Sequence, residues 1–215
     1  MHLPDGILPP YLTVIGYGIT GGMTWYSLRK INRTKNPQEK IPKASLLTAT
    51  FFVTSLIHIP VPPTSIHLIL NGLMGIVLGY YAFPAIVIGL FFQAVMFQHG
   101  GLSTLGINAA MMGIPAIFAY YIFQLKYLLG NRPFVTQIFS FLAGASALGV
   151  SAAIFIIITI TNIPADIDTN IEKNAILASL IGYSVQMLIE GIFTVMLITF
   201  LEKVKPEILE NNFSK

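Results

Sequence analysis

Arg29-Lys30-Ile31-Asn32-Arg33-Thr34-Lys35, followed closely by Lys40 and Lys43, is a basic stretch set between two apolar ones. Of the 215 residues around it, 54% are hydrophobic and 10% charged, and mean hydropathy is +0.74. A soluble domain carries about 25% charged residues, so this chain belongs in a bilayer. About 20 apolar residues cross the hydrocarbon core as a helix. Seven such spans are predicted: Leu8 to Leu28, Ala44 to Ile59, Ser65 to Tyr81, Phe83 to Phe97, Ile107 to Leu129, Phe134 to Thr161 and Ala175 to Leu201. The expected fold is an all-α membrane protein, a bundle of seven transmembrane helices. One domain over 1–215 is expected, made of an N-terminal segment 1–7, the bundle 8–201 and a tail 202–215.

The quoted loop also sets orientation. Its six basic residues, Lys126 and Arg132 after the fifth span, and Lys203, Lys205 and Lys215 after the seventh share one face of a seven-span bundle. They are eleven of the twelve Lys and Arg; Lys173 alone falls on the other face. Basic short loops stay cytoplasmic, which puts the N-terminus outside and the C-terminus in the cytoplasm of a multi-pass protein of the plasma membrane. The first seven residues carry no Lys or Arg, so no secretory signal is expected. The chain is expected to begin at Met1, retained because His2 is large, with its formyl group removed.

Several functions are excluded. There is no cysteine, hence no thiolate site or disulfide. The basic residues adjoin apolar spans without aromatic interleaving, so nucleic-acid binding has no support. No phosphate-binding loop, His-Glu-x-x-His motif or nucleophile–base pair occurs. Neither an enzyme nor a resident cofactor is expected.

The chemistry lies in Met1-His2-Leu3-Pro4-Asp5-Gly6. The Met1 amine, the backbone nitrogen of His2 and the His2 imidazole can chelate one ion through adjacent small rings. A planar nitrogen set suits Ni(II) and Cu(II), and His67 is the candidate for the open corner. All four histidines, His2, His58, His67 and His99, fall at the outer ends of the predicted spans. His67 follows Pro60-Val61-Pro62-Pro63-Thr64-Ser65, where Thr64 or Ser65 is expected to cap a helix and so fix the imidazole. Asn71 would share its helical face at i+4, orienting His67, receiving polar groups of the N-terminal segment, or bonding between helices. His58 and His99 read singly as interfacial histidines bonded to carbonyls. Together with Asn71 they are candidates for groups that touch the ligands rather than the ion. Small residues at four-residue spacing, Gly18 with Gly22, Gly75 with Gly79, and Ala143 with Ala147, predict close helix packing. For the first and third spans this packing is expected inside the bundle. Glu190, the one acid well inside a span, is expected nearer the cytoplasmic half and not as a ligand.

Three motifs, Met1-His2-Leu3-Pro4-Asp5-Gly6, Pro63-Thr64-Ser65-Ile66-His67-Leu68-Ile69-Leu70-Asn71-Gly72 and the Gln93 to Asn108 stretch with His99-Gly100-Gly101, resemble the NikM/CbiM family. The likeness is strong to about residue 113 and beyond that rests on apolar spans alone. It implies a seven-helix substrate-binding S component of an energy-coupling-factor nickel or cobalt transporter. The implied ligands are the Met1 amine, the His2 backbone nitrogen and imidazole, and the His67 imidazole. The implied partners are an energy-coupling transmembrane subunit, ATPase subunits and a small accessory membrane protein, within membrane lipid. The alternatives are a stand-alone divalent-cation channel or secondary permease, with Gln93, Gln124, Gln137 and Gln186 as its polar residues, and a membrane packing protein with incidental histidines.

Overall fold

The computed structural model describes residues 1–57, 59–61, 64–130, 132–163 and 168–209. Among them lie seven α-helices: α1 (Pro10–Ile31), α2 (Ile41–Thr54), α3 (Asn71–Leu78), α4 (Ala82–Phe97), α5 (Leu105–Gln124), α6 (Pro133–Thr161) and α7 (Thr169–Val204). Local chemistry sets their starts. Pro10 and Pro133 open α1 and α6, where a missing N–H costs nothing. The Asp168 carboxylate caps α7, accepting from the N–H of Asn170 (2.8 Å) and Ile171 (3.1 Å). Four stretches, 71–97, 105–128, 133–161 and 169–204, are long and apolar enough to cross a bilayer. The chain is a multi-pass, all-α membrane protein. α2 has only 14 residues and ends at Thr54, five short of the predicted Ile59.

The third predicted span is where the fold departs from expectation. β1 (Ile59–Val61) pairs antiparallel with β2 (Thr64–Ile66) in a short hairpin. Thr64 and Ser65 therefore cap no helix. Residues 67–70 continue as a non-helical strap, and α3 begins at Asn71 behind Leu70, which is left-handed at φ 57°. A single 3₁₀ turn, Gly79–Tyr81, joins α3 to α4. Were 71–97 one unbroken helix of 27 residues, its ends would stand about 40 Å apart. Yet His67 and His99, flanking it, have ring centroids 5.6 Å apart. The two helices therefore double back on each other. Gly79, at φ 57° and ψ −126°, takes a conformation that side chains forbid, and makes the reversal possible.

Every residue of α3 is buried, and the core forms around it. Met74, Phe83, Ile86, Met112, Leu148 and Met1 fill one cluster; Leu73, Ile76, Phe123, Ala147 and Ile198 fill another. Gly72 packs against Gly144 and Ala147, and Gly75 against Ala116. The expected small-residue packing of the third span therefore lies inside the bundle. On α1 the expectation fails. A side chain at Gly18 or Gly22 would meet nothing, while Val14 and Trp25 nearby are 71% and 60% exposed. α1 turns Gly16, Thr20, Ser27 and Ile31 inward instead. Its large apolar side chains lie outward, and small and polar residues take the packed side.

Candidate metal centre

The N-terminal segment is tied to the start of α5 as firmly as a strand to its neighbour. Asn108, buried on α5, accepts from the Leu3 N–H through Oδ1 at 3.0 Å and donates to the Leu3 carbonyl through Nδ2 at 3.0 Å. The Thr104 hydroxyl donates to the same carbonyl at 2.5 Å. Leu3 itself is 1% exposed, packed with Leu8 and Ile107. Two residues on, the Asp5 carboxylate accepts from the Leu102 N–H (3.2 Å), the Ser103 N–H (2.8 Å) and the Ser103 hydroxyl (2.5 Å). Gly101 lets this happen. A Cβ there would overlap the Asp5 carboxyl group and stand 2.6 Å from the Asp5 nitrogen.

These ties place His2 among the other imidazoles. Its ring centroid lies 4.1 Å from that of His99 and 5.4 Å from that of His67. One ligand nitrogen from each of His2, His67 and His99 falls within 4.8 Å of the others. Metal–imidazole bonds are about 2.0–2.1 Å, so nitrogens opposed across an ion stand about 4 Å apart. Neighbouring nitrogens on one ion stand closer still, about 3 Å apart, so the three rings must draw together to share it. Both ring nitrogens of His2 are buried inside the cluster, with the Gln93 side chain as their polar neighbour.

Burial also tunes the donors. It pushes the Met1 amine from 8.0 down to about 5. The His2 imidazole is pushed well below 6.5, first by burial and then by the terminal amine and the neighbouring His99 and His67. Both groups are thus neutral at pH 7, the form in which nitrogen binds a metal. Asp5 is held below 3.8, chiefly by the Ser103 hydroxyl, and stays an anion that anchors the loop.

The structure brings together Met1, His2, His67 and His99, and places His58 outside the described residues. His99, read from sequence as a carbonyl-bonded histidine beside the site, stands inside the cluster. Asn71 cannot share a helical face with His67, because His67 precedes α3. Its side chain donates to the Met112 carbonyl (3.1 Å) and Ser151 Oγ (2.9 Å), bonding α3 to α5 and α6. This is the interhelical alternative of the three readings. Sequence reasoning missed Asp5, Thr104 and Asn108 as the docking set for the N-terminus. It also set Glu190 apart from the site, whereas the carboxylate meets the strap beside His67. α7, 36 residues long, spans about 54 Å, more than a bilayer core, so its sequence midpoint is a poor guide to depth.

Comparison with known proteins places the chain in a family. The family described as the cobalt uptake substrate-specific transmembrane region, CbiM, matches residues 2–208. A Haemophilus influenzae protein named for metal transport is 31% identical over the full length of both chains. A fused nickel transport protein, NikMN, of Rhodobacter capsulatus is 33% identical over 61% of this chain and 38% of its own length. Two solved structures described as a transition metal transporter, one of them truncated, superimpose with a TM-score of 0.75. They cover 94% and 95% of this chain and 99% and 93% of their own, at 21% and 22% identity, a likeness of fold. The chain belongs to the CbiM family, the substrate-specific transmembrane component of cobalt and nickel uptake.

Proposed function

We propose that this chain captures Ni(II) or Co(II) at the outer face of the plasma membrane and works as the S component of an ATP-driven energy-coupling-factor importer. The N-terminus then lies outside and the chain crosses the membrane seven times as a single domain. Partner subunits, an energy-coupling transmembrane protein, ATPases and a small accessory membrane protein, supply the work, since the sequence holds no nucleotide loop of its own. The observation that carries the reading is a buried terminal amine beside His2, whose imidazole meets those of His67 and His99.

The substrate ion would meet the Met1 amine, the His2 amide and imidazole, and His67. A planar nitrogen set favours Ni(II), and His99, 4.1 Å ring to ring from His2, is placed to cover it or to join it. The stand-alone permease is less well supported. Gln93 donates to Ser55 and Gln186 to the His67 carbonyl, so both are engaged in holding structure rather than lining a path.

The test is calorimetric titration of Ni(II) and Co(II) into protein with a native N-terminus and into protein with one residue added before Met1. Tight binding that the addition abolishes supports amine ligation. Equal binding by both refutes it and leaves a site of side chains alone. No binding by either overturns the metal reading. A His99→Ala variant sorts the role of that ring: loss beyond about 100-fold marks a ligand, and about 10-fold to 100-fold a group that orients one.

A further inference from the structure

His67 sits on a non-helical strap that joins α3 only where the Leu70 carbonyl accepts from the Met74 N–H (2.8 Å), in the interior of a membrane protein, where each unsatisfied backbone group is costly. The strap's polar groups are met from α7. The Glu190 carboxylate accepts from the Ile69 N–H through Oε1 at 2.5 Å and from the Leu70 N–H through both oxygens, at 3.1 and 3.0 Å. One turn earlier on the same face, Gln186 Nε2 donates to the His67 carbonyl at 2.5 Å. Both side chains are 1% exposed. No Lys or Arg is paired with Glu190 among the described residues, so its carboxyl oxygens are met by backbone N–H groups at the start of α3. That is a favourable place for an anion, because the helix dipole is positive there. Leu70, whose N–H is held, is one of two described non-glycine residues at positive φ; the other is Gln98, the neighbour of His99.

We infer that Glu190 and Gln186 are positioning residues for the metal site: they clamp the strap to α7 in the one shape that aims His67 at His2 and His99. This rests on the metal-binding reading above. It adds that α7, which supplies no ligand, fixes the geometry of coordination. A movement of α7 relative to α3 would therefore be felt at the ion through His67 before it reached His2, whose segment is tied to α5.

The experiment compares Glu190→Gln, Gln186→Met and a control, Ser140→Ala, in detergent with a native N-terminus. Ser140 is buried on α6 and, among the described residues, its hydroxyl bonds only along its own helix, to the Thr136 carbonyl. Three quantities are read: Ni(II) affinity by calorimetry, the visible ligand-field spectrum at saturating Ni(II), and amide exchange at Ile69 and Leu70 without metal. Glu190→Gln keeps one acceptor oxygen but loses the charge and the second acceptor. It is expected to weaken Ni(II) binding about tenfold, the equivalent of 1.4 kcal/mol, to shift the spectrum and to speed exchange at the two amides. Gln186→Met should do the same to a smaller degree, and it leaves the α3 cap intact should Glu190→Gln fail to fold. Ser140→Ala should leave affinity and spectrum unchanged. A lowered melting temperature with native affinity and spectrum in both clamp variants would overturn the inference, since a merely structural role predicts that pattern. Failure of the native protein to bind Ni(II) would instead remove the reading on which the inference rests.

Discussion

Replacing Asn108 with leucine tests whether the protein or the ion positions the N-terminus. Leucine fills nearly the same space, so the change removes polarity rather than volume. Two hydrogen bonds to Leu3 disappear, each about 1 kcal/mol net. The Leu3 carbonyl keeps the Thr104 hydroxyl, but the Leu3 N–H, at a residue 1% exposed, loses its one acceptor among the described residues. A buried donor left without an acceptor costs about 1–3 kcal/mol, and this overlaps the lost bond rather than adding to it. The segment's docking is then weaker by about 2 kcal/mol, which is about 30-fold in a binding constant. Because Met1 and His2 reach the cluster only when the segment is docked, that factor should appear in the Ni(II) dissociation constant measured by calorimetry. Affinity within about threefold of native, in a protein whose binding an N-terminal extension still abolishes, would refute the reasoning. The ion itself would then hold the segment, and the Asn108 pairing would be incidental.

Gly101→Ala should undo the Asp5 anchor, since a Cβ there overlaps the carboxyl group; Ni(II) affinity should fall about tenfold or more, with helix content by circular dichroism unchanged. Acid should release the metal-free segment. The amine is 8.0 when undocked and about 5 when docked, so the undocked state binds the extra proton and docking weakens as pH falls through that window. Amide exchange at Leu3 should quicken between pH 8 and 5 after correction for intrinsic rates, and a flat response would contradict it. Gly18→Ala and Gly22→Ala meet open space and should raise the stability of the isolated protein by up to about 1 kcal/mol each in detergent unfolding. If metal uptake in cells falls at the same time, that face of α1 is an interface.

What the sequence makes legible is what local chemistry decides. α1, α4 and α6 begin and end within a few residues of their predicted spans, because proline marks their starts and apolar length marks their extent. The strap at 67–70 has no such mark. Ile66 to Leu78 reads as an apolar run fit for a helix, and what stops the helix is a carboxylate about 120 positions away that satisfies the Ile69 and Leu70 N–H groups. Nothing near Leu70 announces its left-handed backbone. The same holds for the histidines. Their shared end follows from counting spans, but His99 enters the cluster because α3 and α4 fold back at Gly79, a reversal visible only in three dimensions. Asn108 read as one polar residue in a polar patch; its partner is the backbone of Leu3, which carries no side-chain signature.

Trp25, the chain's only tryptophan, is 60% exposed on α1, with the Arg29 guanidinium 5.1 Å from its ring. It stands fifteen residues past Pro10, about 22 Å along the helix, at the opposite end from the imidazoles. The protein thus carries its one tryptophan on the exposed face of α1 and none beside the imidazoles. Its emission should ignore a nickel titration, yet dim when brominated lipids surround it and recover when another membrane protein covers α1. Occupancy and assembly are therefore separable by light, without a label.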